Sequence, residues 1–157
     1  MNHVYDQTLY KIGRETVALF PEQLKNGDVG TRVLETNRDY LLNIKPLQMV
    51  KKSCEYYGSS LRGRQDATKA LSGITYKPPI VLSTTIQIFL FPTSSPTSGR
   101  CGWISYQHAE RMGRSAQGVF VRLNEDEQWF VDMSAASLET QLYRTAFLHQ
   151  TIMSRVG

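Results

Sequence analysis

The stretch IQIFLFPTSSPTSGRCGWIS, residues 86–105, decides the fold of this chain. Two apolar segments, residues 86–91 and 101–105, flank a loop of Thr, Ser, Pro and Gly. Successive side chains of a strand point to opposite faces, and both faces of the first segment are apolar apart from Gln87. The pattern therefore predicts a central strand that is buried on both faces. Arg100, at the mouth of the loop, is the residue left over for function.

Length and composition limit the class of protein. With 157 residues, the chain can bury a core as one domain, residues 1–157, without disulfides or metals. No apolar run approaches the roughly 20 residues of a membrane span, and the N-terminus lacks the basic-then-apolar pattern of a signal sequence. We therefore expect a cytoplasmic protein in which Cys54 and Cys101 are reduced thiols.

Positive charge is concentrated in the middle of the chain. The net charge is +4, and residues 43–114 carry ten Lys or Arg against three acids, which leaves +7 in the middle and −3 elsewhere. This asymmetry favours a polyanionic partner such as nucleic acid. A solvated charged face would produce the same excess, so the charge alone does not decide between the two.

The segment before residue 45 is typical of antiparallel strands. Residues 16–20, 32–35 and 40–44 have an extended pattern, and Asn26-Gly27 provides a strong turn signal between the first two. We interpret this region as a meander of strands without catalytic residues.

A helix follows at residues 46–57, where the apolar period changes from two to nearly four. Pro46 suits the first turn of this helix, and Gly58 suits its stop. Lys51 and Lys52 fall on the open face, where they either contact phosphates or are simply solvated. The apolar stripe on the other face consists of Leu47, Val50, Cys54 and Tyr57.

The sequence GSSLRGR at residues 58–64 predicts a basic loop. Small residues allow a close approach of the backbone to a partner, and hydroxyls can donate to phosphate oxygens. Arg62 or Arg64 would then enter a narrow A·T minor groove, where negative potential attracts guanidinium. An ordinary turn with solvated arginines fits the residues equally well. A short helix over residues 65–71 is expected next.

The remaining segments complete an α+β fold. Two prolines fix an extended entry into the next strand and make Lys77 a positioned cation. Residues 119–123 and 128–133 predict a hairpin, and residues 134–157 predict a C-terminal amphipathic helix. The resulting fold class is a mostly antiparallel sheet with a helix after Pro46 and a C-terminal helix. The core side of that last helix is predicted to carry Leu138, Leu142, Ala146 and Met153, widened by Phe147 and Ile152.

The search for catalytic or metal-binding residues gives no site. The three histidines are His3, His108 and His149, and none is near a second ligand at a recognised spacing. A metal site built from Cys54, Cys101 and His108 also lacks a recognised ligand spacing, and a Cys–His nucleophile would rest on the same residues. The sequence therefore predicts no enzyme, no metal and no cofactor.

Several short motifs occur together in a characteristic order. They are KPLQMV at 45–50, SC at 53–54, GSSLRGR at 58–64, KPPI at 77–80, IQIFLFPT at 86–93, CGWIS at 101–105 and LYRTA at 142–146. No motif is decisive alone, but the set resembles the competence transcription factor family, ComK, over most of the chain.

The resemblance implies a bacterial activator of genes for DNA uptake, present in the cytoplasm at the nucleoid. Such a regulator binds paired A·T-rich boxes of double-stranded DNA, chiefly through the minor groove, as a homodimer or dimer of dimers. The resemblance also favours DNA contacts for the arginines of GSSLRGR, Arg62 and Arg64, and phosphate contacts for Lys45 and Lys77. The candidate DNA-binding residues are Lys45, Lys51, Lys52, Arg62, Arg64, Lys77 and Arg100.

One departure from the family pattern opens an alternative. ComK-type proteins usually continue past the YRTA-containing helix with a tail that resembles an adaptor-recognition and activation region, whereas this chain stops at Gly157. Contacts with RNA polymerase, an adaptor and a Clp-type protease therefore stay open, as does activation itself. The alternative function is a protein-interaction module that pairs through residues 138–156 with a full-length regulator and modulates it without productive DNA binding.

Overall fold

The computed structural model describes residues 10–156, so His3 lies outside the described residues. Within this range the chain forms nine strands, three α-helices and one 3₁₀ segment, Tyr106–Arg111. The helices are α1 (Pro46–Tyr56), α2 (Leu61–Ser72) and α3 (Ala135–Val156). The strands are β1 (Thr16–Gln23), β2 (Val29–Glu35), β3 (Asp39–Leu42), β4 (Ile80–Ser83), β5 (Ile88–Pro92), β6 (Trp103–Ser105), β7 (Met112–Ser115), β8 (Gly118–Asn124) and β9 (Glu127–Phe130).

A six-stranded antiparallel sheet forms the centre of the fold, with the strand order β3-β2-β1-β6-β5-β4. β1 and β6 occupy the middle, and β5 is an interior strand next to the β4 edge. The side chains of residues 88–91 are at most 2% exposed, which confirms the expected burial on both faces. The strand begins at Ile88 rather than Ile86, because Gln87 has a positive φ of 54° and belongs to the preceding turn.

The two faces of this sheet are covered by different layers. α1 and α2 cover one face, where Met49 and Cys54 pack in the same cluster as Ile88, Leu90 and Trp103. The opposite face is covered by α3 and a second antiparallel sheet of order β7-β8-β9. These layers explain the alternation in β5, since its odd-numbered and even-numbered side chains enter different clusters.

The α+β class is confirmed, and most predicted elements are present. α1 begins at Pro46, and Gly58 follows its end with a φ of 91°. β1 continues through Pro21 to Gln23, beyond the predicted end at residue 20. Residues 112–115, which gave no strand signal, form the edge strand β7.

The basic loop predicted at residues 58–64 is wrong, because α2 already begins at Leu61. Ser60 is the N-cap of this helix, and its hydroxyl accepts a hydrogen bond of 2.9 Å from the backbone N–H of Gly63. Glycine suits position 63 because a Cβ at Gly63 would lie only 3.1 Å from the Ser60 hydroxyl oxygen. Arg62 and Arg64 are therefore helical residues, and the helix predicted for residues 65–71 is longer than expected.

The core side of α3 differs from the predicted one. Two polar residues, Gln141 and Thr145, are fully buried in it, while Phe147 is half exposed. The Gln141 amide donates to the carbonyl oxygens of Lys77 and Pro92, at 3.0 and 2.9 Å. This side chain therefore joins α3 to two segments that are far away in sequence. The buried residues of the helix are Leu138, Gln141, Thr145, Leu148 and Ile152.

Across residues 10–156, none of the helices is both long and apolar enough to cross a bilayer.

Gly102, directly before β6, lies close to β1, so a substitution at this position tests the pairing of β1 with β6. A Cβ at Gly102 would lie 2.8 Å from the carbonyl oxygen of Leu19 and 2.8 Å from a ring carbon of Phe20. We expect Gly102→Ala to lower the free energy of unfolding by about 1–3 kcal/mol, because the backbone has to shift. Gly99→Ala is the matched control, since a Cβ at Gly99 meets no atom within 4 Å. Urea unfolding of both variants measures the difference, and equal stabilities would contradict the prediction.

Candidate nucleic-acid interface

A surface cleft of about 510 Å³ lies between α2, the segment 74–78 and the loop 95–97. We call it the basic cleft, because three cations line it and Asp66 is the one acidic residue among its lining residues. Its hydroxyls and amides can donate to an anion alongside those cations. Residues that line it include Arg62, Asp66, Lys69, Tyr76, Lys77 and Pro96.

Helical spacing places Arg62 and Lys69 in this cleft. The two residues are seven positions apart in α2, so they lie on the same face two turns apart. Both are exposed. Leu61 and Thr68, which directly precede the two cations in the sequence, are the buried residues of α2. Adjacent residues of a helix are about 100° apart around its axis, so the two cations lie beside the buried face.

The segment that carries Tyr76 and Lys77 forms the second wall of the basic cleft. The Arg144 guanidinium donates to the carbonyl oxygen of Tyr76, and Gln141 donates to that of Lys77. The Lys77 ammonium lies 5.3 Å from the centre of the Tyr76 ring. Burial lowers the pKa of Arg144 from its ordinary value, although the group remains a cation at neutral pH.

Arg64 points away from the basic cleft. Its guanidinium donates to the carbonyl oxygen of Leu82 at 3.3 Å, at an irregularity in the pairing of β4 with β5. Its Nε atom is buried without a hydrogen-bond partner. Burial raises the pKa of the Cys54 thiol to about 11, and the positive charge of Arg64 offsets part of this increase. The geometry gives Arg64 a role in the fold, and its contact with DNA stays a prediction that this geometry does not favour.

The two candidate lysines within α1 and the one at its N-cap lie outside the lining of the basic cleft. Lys45 is the N-cap residue, and its carbonyl oxygen accepts from the N–H of Met49 at 3.1 Å. Lys51 and Lys52 are exposed, as predicted for the open face of the helix. Their contact with a phosphate backbone stays a prediction.

Arg100 lines a second cleft, of about 320 Å³. It forms an ion pair of 3.6 Å with Asp132, and both side chains are well exposed. Such a pair contributes little to stability, so the guanidinium is available to a stronger anion. The loop 93–101 joins the two clefts, because Pro96 lines the basic cleft and Gly99 the second one.

Lys69 is the cleft residue that the sequence reasoning missed. The loop prediction for residues 58–64 separated Arg62 from Lys69, so their shared helical face was not considered. The N-cap signal of Ser60 was present in the sequence and could have extended the helix to Leu61.

The residues considered for catalysis do not assemble in the described part of the chain. Over residues 10–156, no three His, Cys, Asp or Glu side chains are grouped as metal ligands. Cys101 is buried, and burial raises the pKa of its thiol. His108 contacts the carbonyl oxygen of Arg14 at 2.7 Å, and the His149 ring packs edge-on against Phe89. Neither histidine activates a thiol by these contacts.

Comparison with known proteins places this α+β domain in a class. The family described as ComK protein matches residues 7–157. A relative named competence transcription factor, from Bacillus subtilis (strain 168), is 35% identical over 148 residues, which cover 94% of this chain and 77% of the relative. No solved structure matches the chain. The chain therefore belongs to the ComK family, and it is homologous to a competence transcription factor.

The different directions of Arg62 and Arg64 give a stability prediction. We expect Arg64→Ala to lower the free energy of unfolding by about 1–2 kcal/mol, because the Leu82 carbonyl oxygen loses a charged donor. Arg62→Ala is the matched control, and we expect it to stay within about 0.5 kcal/mol of the parent protein because the side chain is exposed. Urea unfolding followed by circular dichroism measures both variants. Equal decreases in stability would show that the two arginines are not distinguished by burial.

Proposed function

We propose that this protein is a DNA-binding transcription regulator of the competence type. It binds paired A·T-rich boxes mainly through the minor groove, and it does so as an oligomer. The observation that carries the proposal is the basic cleft, in a chain whose family includes a competence transcription factor. The function requires no cofactor or metal and no catalytic step. It is carried out in the cytoplasm, at the nucleoid.

The side chains of the basic cleft have complementary roles in this proposal. Arg62 is the groove-entering group, since the narrow groove of A·T tracts concentrates negative potential and attracts guanidinium. Lys69 and Lys77 contact the flanking phosphates as point charges. Lys45, Lys51, Lys52 and Arg100 extend the phosphate contacts beyond the cleft, whereas Arg64 supports the fold.

The exposed apolar side chains of α3 support an oligomer. Tyr143 and Phe147 are one helical turn apart and are 78% and 47% exposed. Large apolar groups at such spacing suit contact with another helix. We therefore assign the homodimer contact to this outer face of α3. The same face would serve the second candidate function, in which the chain pairs with a full-length regulator and does not bind DNA productively.

Equilibrium binding to two duplexes tests the DNA-binding proposal. We expect tighter binding to a duplex with two phased A·T-rich boxes than to a G·C-rich duplex of equal length, measured by fluorescence anisotropy at two salt concentrations. Replacing A·T by I·C pairs keeps the minor-groove pattern, so binding through that groove is retained. The double variant Arg62→Ala/Lys69→Ala should bind more weakly, and its logarithmic salt slope should be flatter by roughly 0.9 for each phosphate that it no longer neutralises.

Lys25→Ala is the control for charge in this experiment. Lys25 is exposed in the turn between β1 and β2, outside the lining of the basic cleft, so its removal should leave the affinity close to that of the parent protein. If the double variant binds as well as Lys25→Ala does, the basic cleft is not the interface. A folded parent protein that ignores both duplexes would favour the protein-interaction function.

The oligomer contact has its own test. Phe147→Glu places a charge on the outer face of α3, and we expect it to shift the protein from dimer toward monomer in sedimentation equilibrium. Gln150→Glu, at another exposed position of the same helix, adds the same charge without removing an apolar group. Identical association of the two variants would mean that Phe147 is outside the dimer contact.

A further inference from the structure

The wall of the basic cleft presents an aromatic ring to solvent. The Tyr76 side chain is 69% exposed, although its backbone segment accepts hydrogen bonds from two side chains of α3. Its ring lies beside the Lys77 ammonium, and Arg62 and Lys69 line the same cleft. An exposed ring among cations is the arrangement with which proteins stack nucleic-acid bases while they track the phosphates.

The backbone under Tyr76 is fixed by three side chains from two helices. Arg144 and Gln141 of α3 bind the carbonyl oxygens of Tyr76 and Lys77. Thr68 of α2 donates to the carbonyl oxygen of Pro79 at 2.6 Å. The ring is therefore presented on a segment whose position is set before any partner arrives, which lowers the entropy cost of binding.

Backbone strain occurs at the same place. Lys77 has a φ of +48°, and only one other non-glycine residue in the described range, Gln87, has a positive φ. Such a conformation costs energy in a residue with a side chain, and it persists only where the surroundings impose it. Here the strained residue directly follows the exposed ring. The left-handed conformation of Lys77 sets the direction in which the chain leaves Tyr76.

We propose that Tyr76 is a base-contacting residue, whose ring packs against a base at a partly unstacked step of the bound DNA. The inference rests on the proposed DNA-binding function and adds the group that reads the bases. Pyrimidine–purine steps such as TA unstack and kink easily. A ring that requires such a step would favour A·T-rich boxes without a hydrogen bond to any base edge.

Alanine substitution separates the ring from the charges. We expect Tyr76→Ala to weaken binding to the A·T-rich duplex about tenfold, because no ring is left to stack on the base, while the salt slope stays that of the parent protein because every phosphate-binding cation is still present. Tyr56→Ala is the matched control, since Tyr56 is a comparably exposed tyrosine outside the lining of the basic cleft. Tyr76→Phe keeps the ring and should bind like the parent protein. Thermal unfolding verifies that each variant is folded.

A mismatch scan tests the unstacked step directly. A single mismatched pair weakens stacking in advance, so a mismatch placed at the contacted step should tighten binding by the parent protein. The same mismatch should not tighten binding by Tyr76→Ala, and its effect on Tyr56→Ala should equal that on the parent protein.

The outcomes distinguish this inference from the function on which it rests. If the parent protein binds neither duplex, the DNA-binding function itself is wrong. If the parent protein prefers the A·T-rich duplex and Tyr76→Ala binds as tightly as Tyr56→Ala, the base contact is overturned while the function stands. A decrease in affinity in Tyr76→Phe equal to that in Tyr76→Ala would assign the contact to the hydroxyl and overturn stacking. A salt slope that flattens in Tyr76→Ala would overturn stacking as well, because the ring would then act only by orienting Lys77.

Discussion

Burial of both faces of the six-stranded sheet is the constraint on which the rest of the structure depends. A strand such as β5, apolar on either side, is stable only when each face is covered by another layer. One layer consists of α1 and α2, and the other of α3 and the small sheet. Because α2 and α3 both pack at the β4–β5 side of the sheet, the segment that precedes β4 lies between them. The basic cleft is formed at this junction.

A buried hydrogen-bond network connects the core to that cleft. Gln141 is 1% exposed, and its amide donates hydrogen bonds to the carbonyl oxygens of Lys77 in the cleft segment and of Pro92 at the end of β5. Its oxygen accepts from Arg144 at 2.8 Å. The free-energy cost of burying an amide without hydrogen-bond partners is larger than the net stabilisation that its hydrogen bonds provide when they are formed. The network therefore specifies one arrangement of α3 against the cleft segment rather than adding general stability.

Local periodicity was sufficient to predict much of the fold, but it could not predict the site. The strands, α1 and the C-terminal helix followed from apolar spacing, and their ends differ from the prediction by a few residues. The start of α2 was missed because Gly and Ser near Arg62 suggested a loop, although Ser60 acts there as a cap. The buried side of α3 was misplaced because Gln141 pairs with carbonyl groups 64 and 49 positions away. Such partners leave no signal in local sequence.

Gln141 and Arg144 are synthesised after the segment that they bind. A chain emerges from the ribosome N-terminus first, and its early segments begin to fold before the later ones exist. The cationic face of α2 is present in that early part, but the side chains that fasten residues 76 and 77 belong to α3, the last helix of the described chain. The hydrogen bonds that hold residues 76 and 77 can therefore form only after α3 has been synthesised.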